Sequence, residues 1–261
     1  MNITSNITSI GNCAFSGCSN LTSITIPFSV TSIGNSAFSR CESLTSITIP
    51  SGVTLINDYT FNGCINLKTF NITSNITSIG NSAFFNCRSL TSIIIPSSVN
   101  SIGSYAFSEC SSLTSITIPS NVTSINDYTF NGCINLKTVN ITSSITSIGN
   151  NAFQNCWNLG SINIPSSVTS IGTNAFSGCK SLTFITIPSN VTSINDYTFW
   201  GCSSLKTVNI TSNITSIGIR RDCHFPTFFL ISGLIPALKP ISVFQVSFRL
   251  FFCFSFSSCF L

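Results

Sequence analysis

The sequence predicts a β-rich repeat solenoid, and three observations support this fold class. A motif close to LTSITIPSSVTSIGNSAFSGCSS recurs every 23 residues along most of the chain. Leu, Ile, Val, Phe and Cys fall at the same positions of successive copies, and β-branched residues crowd the first part of each copy. Because a unit this short cannot bury its apolar residues alone, successive units must stack and cover one another.

Each complete unit begins at a recurrent leucine and is expected to form one coil of the solenoid. These leucines are Leu21, Leu44, Leu67, Leu90, Leu113, Leu136, Leu159 and Leu182, and a ninth unit begins at Leu205. We predict one elongated domain over residues 1–218, because stacking adds length without enlarging the cross-section of the core. Residues 219–261 form a second segment, a non-repeat apolar tail rich in Phe.

The first part of each unit predicts one short parallel strand. In the second unit, Leu44–Ile49 is rich in β-branched residues and alternates over its last part. Pro50 should end the strand because proline lacks an N–H for the ladder and fixes its own φ. After a turn, Val53 to Ile56 is predicted to form a second inward-facing segment.

A Gly or Asn follows the second segment, and we expect the chain to turn there. Gly34 and Asn57 occupy this position in the first two complete units. Both residue types tolerate a positive φ, so we predict a tight corner in that conformation. The phenylalanine that follows, such as Phe38 or Phe61, recurs once per unit and is predicted to be the large side chain of the core.

Nine of the 13 cysteines share one position of the repeat and therefore have one structural explanation. They are Cys18, Cys41, Cys64, Cys87, Cys110, Cys133, Cys156, Cys179 and Cys202. Stacked copies would lie about 4.8 Å apart, which is within the Cα range of a disulfide. The interpretation that we favour is a buried thiol used as a small hydrophobic side chain. The redox compartment stays undecided.

A longer period is superimposed on the repeat. The segment Asn-Asp-Tyr-Thr-Phe begins at Asn57, Asn126 and Asn195, three units apart each time. Lys68, Lys137 and Lys206 follow the same spacing. The array is therefore interpreted as a block of three units that was copied by duplication.

Composition excludes several classes of function. Charged residues make up 6% of the chain and the formal net charge is +4, too sparse for the dense basic surface that binds nucleic acid. His224 is the only histidine, so neither a histidine zinc cluster nor a Ser-His-Asp triad is available. Asp58, Asp127 and Asp196 would lie roughly 14 Å apart, too far for paired carboxylates. We predict no catalytic, cofactor or metal site and no enzymatic activity.

The remaining candidate is a binding surface formed by outward strand positions. Its hydroxyls would form a lattice at strand spacing that offers hydrogen bonds to an extended peptide, a glycan or ordered water. An alternative is that these β-forming residues merely keep the sheet soluble. The candidate binding residues are Thr22, Ser23, Thr25, Thr45, Ser46, Thr48, Thr114, Ser115 and Thr117.

The pattern LxxIxIP followed by VTSIGxxAFxxC resembles the BspA-like surface-antigen subfamily of leucine-rich repeat proteins, over residues 1 to about 218. The resemblance implies a leucine-rich-repeat-like solenoid. It also implies a surface or secreted adhesion protein that binds host matrix proteins or other cells. Two alternatives are kept: an intracellular, cytoplasmic scaffold for protein–protein interaction, and binding to ice or crystal surfaces through threonine ladders.

The two ends of the sequence bear on localisation. The first residues lack the basic flank and apolar stretch of a secretory signal and begin in mid-unit, so we expect another export route or a beginning further upstream. For residues 225–261, three interpretations stay open. They are a membrane anchor or interfacial segment, an apolar flap over the open end of the solenoid, and a segment unrelated to the array, such as a frame change.

Overall fold

The units form successive coils that stack in parallel with a constant offset of 23 residues. Ser46 of one coil pairs with Thr69 of the next, and Ser9 pairs with Ser32. The computed structural model describes residues 6–72, 75–142, 145–211 and 213–218, and the backbone of residues 230–232. The described residues form strands, isolated bridges, turns and irregular segments, without helices. The predicted solenoid is therefore confirmed.

The strand predicted at the start of each unit is present as a four-residue strand in six coils. β3 covers Ser46–Ile49, so it begins slightly later than predicted and ends just before Pro50, as predicted. Ser46 and Thr48 point outward while Ile47 and Ile49 are buried, because successive side chains of a pleated strand face opposite sides. The other long strands are β5 (Thr69–Ile72), β8 (Ser115–Ile118), β10 (Thr138–Ile141), β13 (Phe184–Ile187) and β15 (Thr207–Ile210).

A short strand of two residues forms the second side of each coil. In the second unit, Val53 and Ile56 are both buried, which confirms the second inward segment. The short strands are β1 (Ser9–Ile10), β2 (Ser32–Ile33), β4 (Leu55–Ile56), β6 (Ser78–Ile79), β7 (Ser101–Ile102), β9 (Ser124–Ile125), β11 (Ser147–Ile148), β12 (Ser170–Ile171), β14 (Ser193–Ile194) and β16 (Ser216–Ile217).

The ladder of short strands is interrupted once in every block of three units. Strands β2 and β4, β7 and β9, and β12 and β14 are neighbours without strand pairing. At the first interruption, the Asn57 side chain donates from Nδ2 to the Ile33 carbonyl (2.6 Å), whereas the backbone N–H of Gly34 donates to the equivalent Ile10 carbonyl (2.8 Å). Asn126 and Asn195 repeat this substitution of a side-chain amide for a backbone amide.

The prediction of a positive φ at the Gly or Asn position was wrong. Positive φ occurs two residues later, at Ser36 and its equivalents, and again at Arg40 or the Gly that replaces it. Gly at the predicted corner is required by close approach between coils. A Cβ atom on Gly103 would lie 2.6 Å from the backbone nitrogen of Asn81, which is sterically excluded.

The core is a column of phenyl rings surrounded by aliphatic side chains. The nine rings from Phe15 to Phe199 stack nearly parallel, with neighbouring centroids 5.3 to 5.9 Å apart. Seven of them, among them Phe107, are completely buried. The prediction of one core phenylalanine per coil is confirmed.

The cysteines of the repeat are free thiols in the structure. Eight are buried and Cys18, in the first coil, is exposed. Each buried thiol donates to the carbonyl of a phenylalanine in the preceding coil, as Cys110 does to Phe84 at 3.1 Å. The interpretation as buried thiols is therefore confirmed for eight of the nine positions, with a hydrogen-bonding role that the sequence did not indicate.

Part of the tail continues the ladder. β17 (Leu230–Ser232) lies parallel to β15, with Leu230 opposite Thr207. This pairing places one further strand on the sheet, which none of the three interpretations of the tail specified. The remainder of the tail predictions lies outside the described residues. Within the described residues, no helix is long and apolar enough to cross a membrane.

Candidate binding surface

The residues predicted to bind lie on a single side of the solenoid. We call this side the strand face and define it as the outward side chains at the second, third and fifth positions of each unit, counted from its leucine. All nine predicted residues are exposed there: Thr22, Ser23, Thr25, Thr45, Ser46, Thr48, Thr114, Ser115 and Thr117. The strand pleat and the parallel register bring them together from separate coils.

Some hydroxyls of the strand face already donate a hydrogen bond within the protein. Thr45 donates from Oγ1 to the Thr22 carbonyl at 3.4 Å, and Thr114 donates to the Thr91 carbonyl at 3.3 Å. A hydroxyl whose proton is used in this way still has oxygen lone pairs for an incoming donor. These threonines can therefore accept hydrogen bonds from a ligand. The prediction was broader, because it had the hydroxyls offer hydrogen bonds of either kind.

The strand face is not a uniform threonine ladder. At the fifth position, Thr25 and Thr48 are followed by Asn71 and by Ile94, which is 86% exposed. Phe184, at a third position, is 47% exposed. This alternation of hydroxyl, amide and apolar groups removes the regular spacing on which ice binding would depend.

Three lysines also lie on the strand face, at the second position of their units. Lys68, Lys137 and Lys206 are all exposed. Their regular spacing is visible in the sequence, but their place on this surface was not predicted. The signal was available, because each of these lysines directly follows the unit's leucine at the position that Thr22 and Thr45 occupy.

The opposite, turn-rich part of the coils carries aromatic contacts that sequence reasoning missed. The rings of Tyr105 and Tyr128 stack with centroids 4.4 Å apart. The pKa of Tyr105 is raised, mainly by desolvation and next by electrostatic interaction with Tyr128. Lys180 lies 4.0 Å from the centre of the Trp157 ring. The two partners of each pair are 23 residues apart, at the same position of adjacent units. That spacing was the sequence signal from which these contacts could have been predicted.

The acidic residues of the repeat serve the structure. Asp58 Oδ1 accepts a hydrogen bond from the backbone N–H of Asn81 at 2.6 Å, and Asp127 accepts one from Asn150 at 2.7 Å. These bonds join equivalent positions of adjacent coils.

The thiols are unsuited to nucleophilic chemistry because most of them are buried. Desolvation raises the pKa of the Cys110 and Cys202 thiols to about 12, so both stay protonated at neutral pH. Cys13 and Cys18 are exposed.

Among the residues that the structure describes, no group of three or more His, Cys, Asp or Glu side chains is placed to hold a metal ion.

Two solved structures of leucine-rich repeat proteins share this geometry. The structure is similar to a leucine-rich repeat protein of T. pallidum, with 30% identity and a TM-score of 0.56, over 69% of this chain and 76% of that one. It is also similar in fold to a leucine-rich repeat protein of Eubacterium ventriosum, at 22% identity and a TM-score of 0.52, over 87% and 84% of the two chains. No curated protein matches the sequence.

The sequence profile of the BspA-type leucine-rich repeat region, in six copies, matches residues 1–114 and 100–221. This match spans the repeat array from its first unit to the point where the motif stops. The 23-residue coils, the parallel strands and the phenylalanine column described above are the structural counterpart of that profile. The chain belongs to the BspA-type leucine-rich repeat family.

Proposed function

We propose that this chain is a non-enzymatic adhesion or interaction protein of the cell surface or the extracellular space, which binds a protein or glycan through the strand face. One observation carries the proposal: all nine predicted binding residues are exposed on the same side of the array. Membership of the BspA-type family supports the surface location, because that family implies surface or secreted adhesion proteins.

Repetition explains how such a surface can bind without a pocket. A single hydroxyl or amide contact with a solvated ligand contributes little net free energy. When one extended ligand touches several coils, each further contact forms at a high effective concentration and the affinities multiply. The fixed register of the long strands keeps these contacts in line.

The strand face can be tested by enlarging its side chains without changing charge. In the first variant, Ser23, Ser46 and Ser115 are each replaced by Gln. In the matched control, Ser32, Ser101 and Ser170, which are equally exposed on the short strands, are replaced by Gln. We expect the first variant to lose binding to immobilised matrix proteins or neutral and charged glycans, while the control keeps it. Equal binding by both variants would contradict the proposal.

Localisation needs a separate measurement. Intact cells that produce the full chain are treated with a membrane-impermeant amine reagent, and the chain is recovered and examined for modified Lys68 and Lys137, both exposed. Labelling on intact cells is expected for a surface protein. Labelling only after lysis would contradict the surface proposal and favour the intracellular scaffold.

A further inference from the structure

The three lysines of the strand face occupy equivalent places on equivalent strands. Each is followed by an outward Thr and an outward Asn, in the sequences Lys68-Thr69-Phe70-Asn71, Lys137-Thr138-Val139-Asn140 and Lys206-Thr207-Val208-Asn209. We call β5, β10 and β15, with these lysines, the lysine strands. They are the same strand of each three-unit block.

The backbone fixes the position of each lysine. The N–H groups of Lys68, Lys137 and Lys206 donate to the carbonyls of Thr45, Thr114 and Thr183 in the preceding coil, at 2.9, 2.8 and 2.9 Å. Since the bond is the same in all three blocks, the lysines lie in one row along the solenoid. Three coils at strand spacing separate neighbouring lysines by about 14 Å, and the row extends over about 28 Å.

No acidic residue belongs to the strand face itself. The acidic residues that the structure describes all lie in the turn-rich last part of their units: Glu42, Asp58, Glu109, Asp127 and Asp196. Arg40, Arg88 and Lys180 lie in that part as well, so it carries mixed charge. The first half of every unit contains no acidic residue, and the lysines are the only charged groups of the strand face.

We propose that the strand face binds a linear acidic polysaccharide, with anionic groups of the polymer paired to the three lysines and sugar hydroxyls bound by the Thr and Asn side chains between them. This inference rests on the proposed function and names the class of ligand. Exposed Thr69 and Asn71 supply a hydroxyl and an amide beside Lys68, as Thr138 and Asn140 do beside Lys137.

The spacing and chemistry of the row favour a polysaccharide over other polyanions. A nucleic acid carries a phosphate on every nucleotide and requires a much denser basic surface. Protein-binding surfaces concentrate their energy in Trp, Tyr and Arg, none of which lies on the strand face. A polymer with one anionic group per two sugars matches sparse lysines separated by neutral hydrogen-bonding groups. A single exposed ion pair is weak, so binding requires several lysines at once.

The test compares two variants of the full chain that lose the same charge from different positions of the repeat unit. In the strand-face variant, Lys68, Lys137 and Lys206 are replaced by Gln. In the turn-side control, Arg40, Arg88 and Lys180 are replaced by Gln. Binding to hyaluronate, which carries one carboxylate per disaccharide, is measured at low salt beside neutral dextran. We expect the strand-face variant to bind hyaluronate about tenfold or more weakly, and the control within about twofold of the parent.

Salt and ligand length give two further readouts. Binding of the parent chain to hyaluronate should weaken as salt is raised, because exposed ion pairs are screened. Hyaluronate fragments long enough to reach all three lysines, about 28 Å, should bind more tightly than fragments that reach one. Equal losses in the two variants would show that overall charge governs binding, and would overturn the inference.

Failure of this inference is distinguishable from failure of the proposed function. If replacing Ser23, Ser46 and Ser115 abolishes binding to a ligand while the strand-face lysine variant binds it like the parent, the surface is correct and the acidic polysaccharide is wrong. If neither set of substitutions alters any binding while the chain stays folded, both are wrong.

Discussion

Single side chains of this solenoid act through their copies in the neighbouring coils. Phe107 stacks on Phe84 at 5.4 Å and on Phe130 at 5.7 Å, so its removal affects three coils. The thiol of Cys110 donates to the Phe84 carbonyl and thereby joins two coils at a buried point. At this scale stability depends on keeping each core position filled and each thiol protonated.

Replacing Phe107 by Ala should lower the free energy of unfolding by about 3 to 5 kcal/mol, because the ring is completely buried and leaves a cavity between two others. Urea unfolding followed by circular dichroism measures the change. The matched control is Phe184→Ala on the strand face, where the ring is 47% exposed and the expected change is within about 0.5 kcal/mol. Equal losses in the two variants would contradict the phenylalanine column.

Stability should fall in alkaline solution because of the buried thiols. Desolvation raises the pKa of Cys110 from 9.0 to about 12 in the folded chain. Below pH 9 the thiol is protonated in both states and its contribution is complete. Above pH 9 the unfolded chain ionises first, so each such thiol lowers the free energy of unfolding by about 1.4 kcal/mol per pH unit until the folded pKa is reached.

The contribution of one thiol can be isolated by comparing slopes. The free energy of unfolding of the parent and of Cys110→Ala is measured between pH 9 and about pH 10.5. The variant should show a slope shallower by about 1.4 kcal/mol per pH unit, since tyrosines and lysines titrate equally in both chains. Identical slopes would mean that the Cys110 thiol ionises as readily in the folded chain as in the unfolded one.

At the scale of strands and turns, the distance between neighbouring coils decides which residue is accepted. Gly103 lies where a Cβ atom would meet the backbone of Asn81 in the preceding coil at 2.6 Å, and the short strands of these two coils, β6 and β7, are paired. Asn126, at the same position of the next unit, is accepted because β7 and β9 are not paired. Its side chain restores the missing hydrogen bond with the Ile102 carbonyl.

The substitution Gly103→Ala should therefore destabilise the chain by about 1 to 3 kcal/mol, the usual cost of forcing an extra carbon into a packed site. The control is Gly160→Ala, because a Cβ atom there meets nothing within 4 Å. That substitution should be neutral or stabilise the chain by up to about 1 kcal/mol through the unfolded state. Thermal unfolding of both variants measures the difference, and equal melting temperatures would refute the close approach of coils.

The sequence was sufficient for the strands and the core because both depend on one unit and its copies. Leu, Ile, Val and Phe recur at fixed positions, and Pro50 marks the end of β3. The positive φ at Ser36 was not predictable, since other units place Tyr there and Tyr does not signal that conformation. The positive φ at Arg40 was indicated by the Gly that most other units carry at that position, such as Gly63. The bond from Asn57 to Ile33 depends on the distance between two coils, which no single unit contains.

The candidate surface was predictable in its location and only partly in its chemistry. Alternation along Ser46–Ile49 was enough to place Ser46 and Thr48 outside. The bond from Thr45 to the Thr22 carbonyl required the register between coils, and so did the alignment of Lys68 with Lys137. Properties of one strand were therefore visible in the sequence, whereas properties of several coils required the structure.

For the whole molecule, translation by one block is the governing symmetry. Leu113 and Leu182 begin equivalent units, which contain the equivalent strands β8 and β13. Removal of residues 113–181 joins Ser112 to Leu182 and leaves every remaining coil with a neighbour of the kind it had before. Because contacts are made only between adjacent coils, the shortened array should fold.

This block deletion should give a β-type circular dichroism spectrum and a smaller denaturant m-value, since less surface is exposed on unfolding. The control removes residues 113–169 and joins Ser112 to Ser170, which places a short-strand residue where a leucine is required. The coils after the junction in the control should fail to stack on those before it, so the control should show a smaller m-value than the block deletion. Equal m-values in the two variants, or the absence of a cooperative transition in the block deletion, would contradict the nearest-neighbour description.

The interrupted ladder has a mechanical consequence. Between β2 and β4, β7 and β9, and β12 and β14, side-chain amides replace backbone pairing, so the seams of the array recur at a constant interval of three units. A force applied along the axis would open these seams first, and each rupture would release the same length of chain. If the chain is held at both ends, it should therefore lengthen in equal steps under force before it detaches from its ligand.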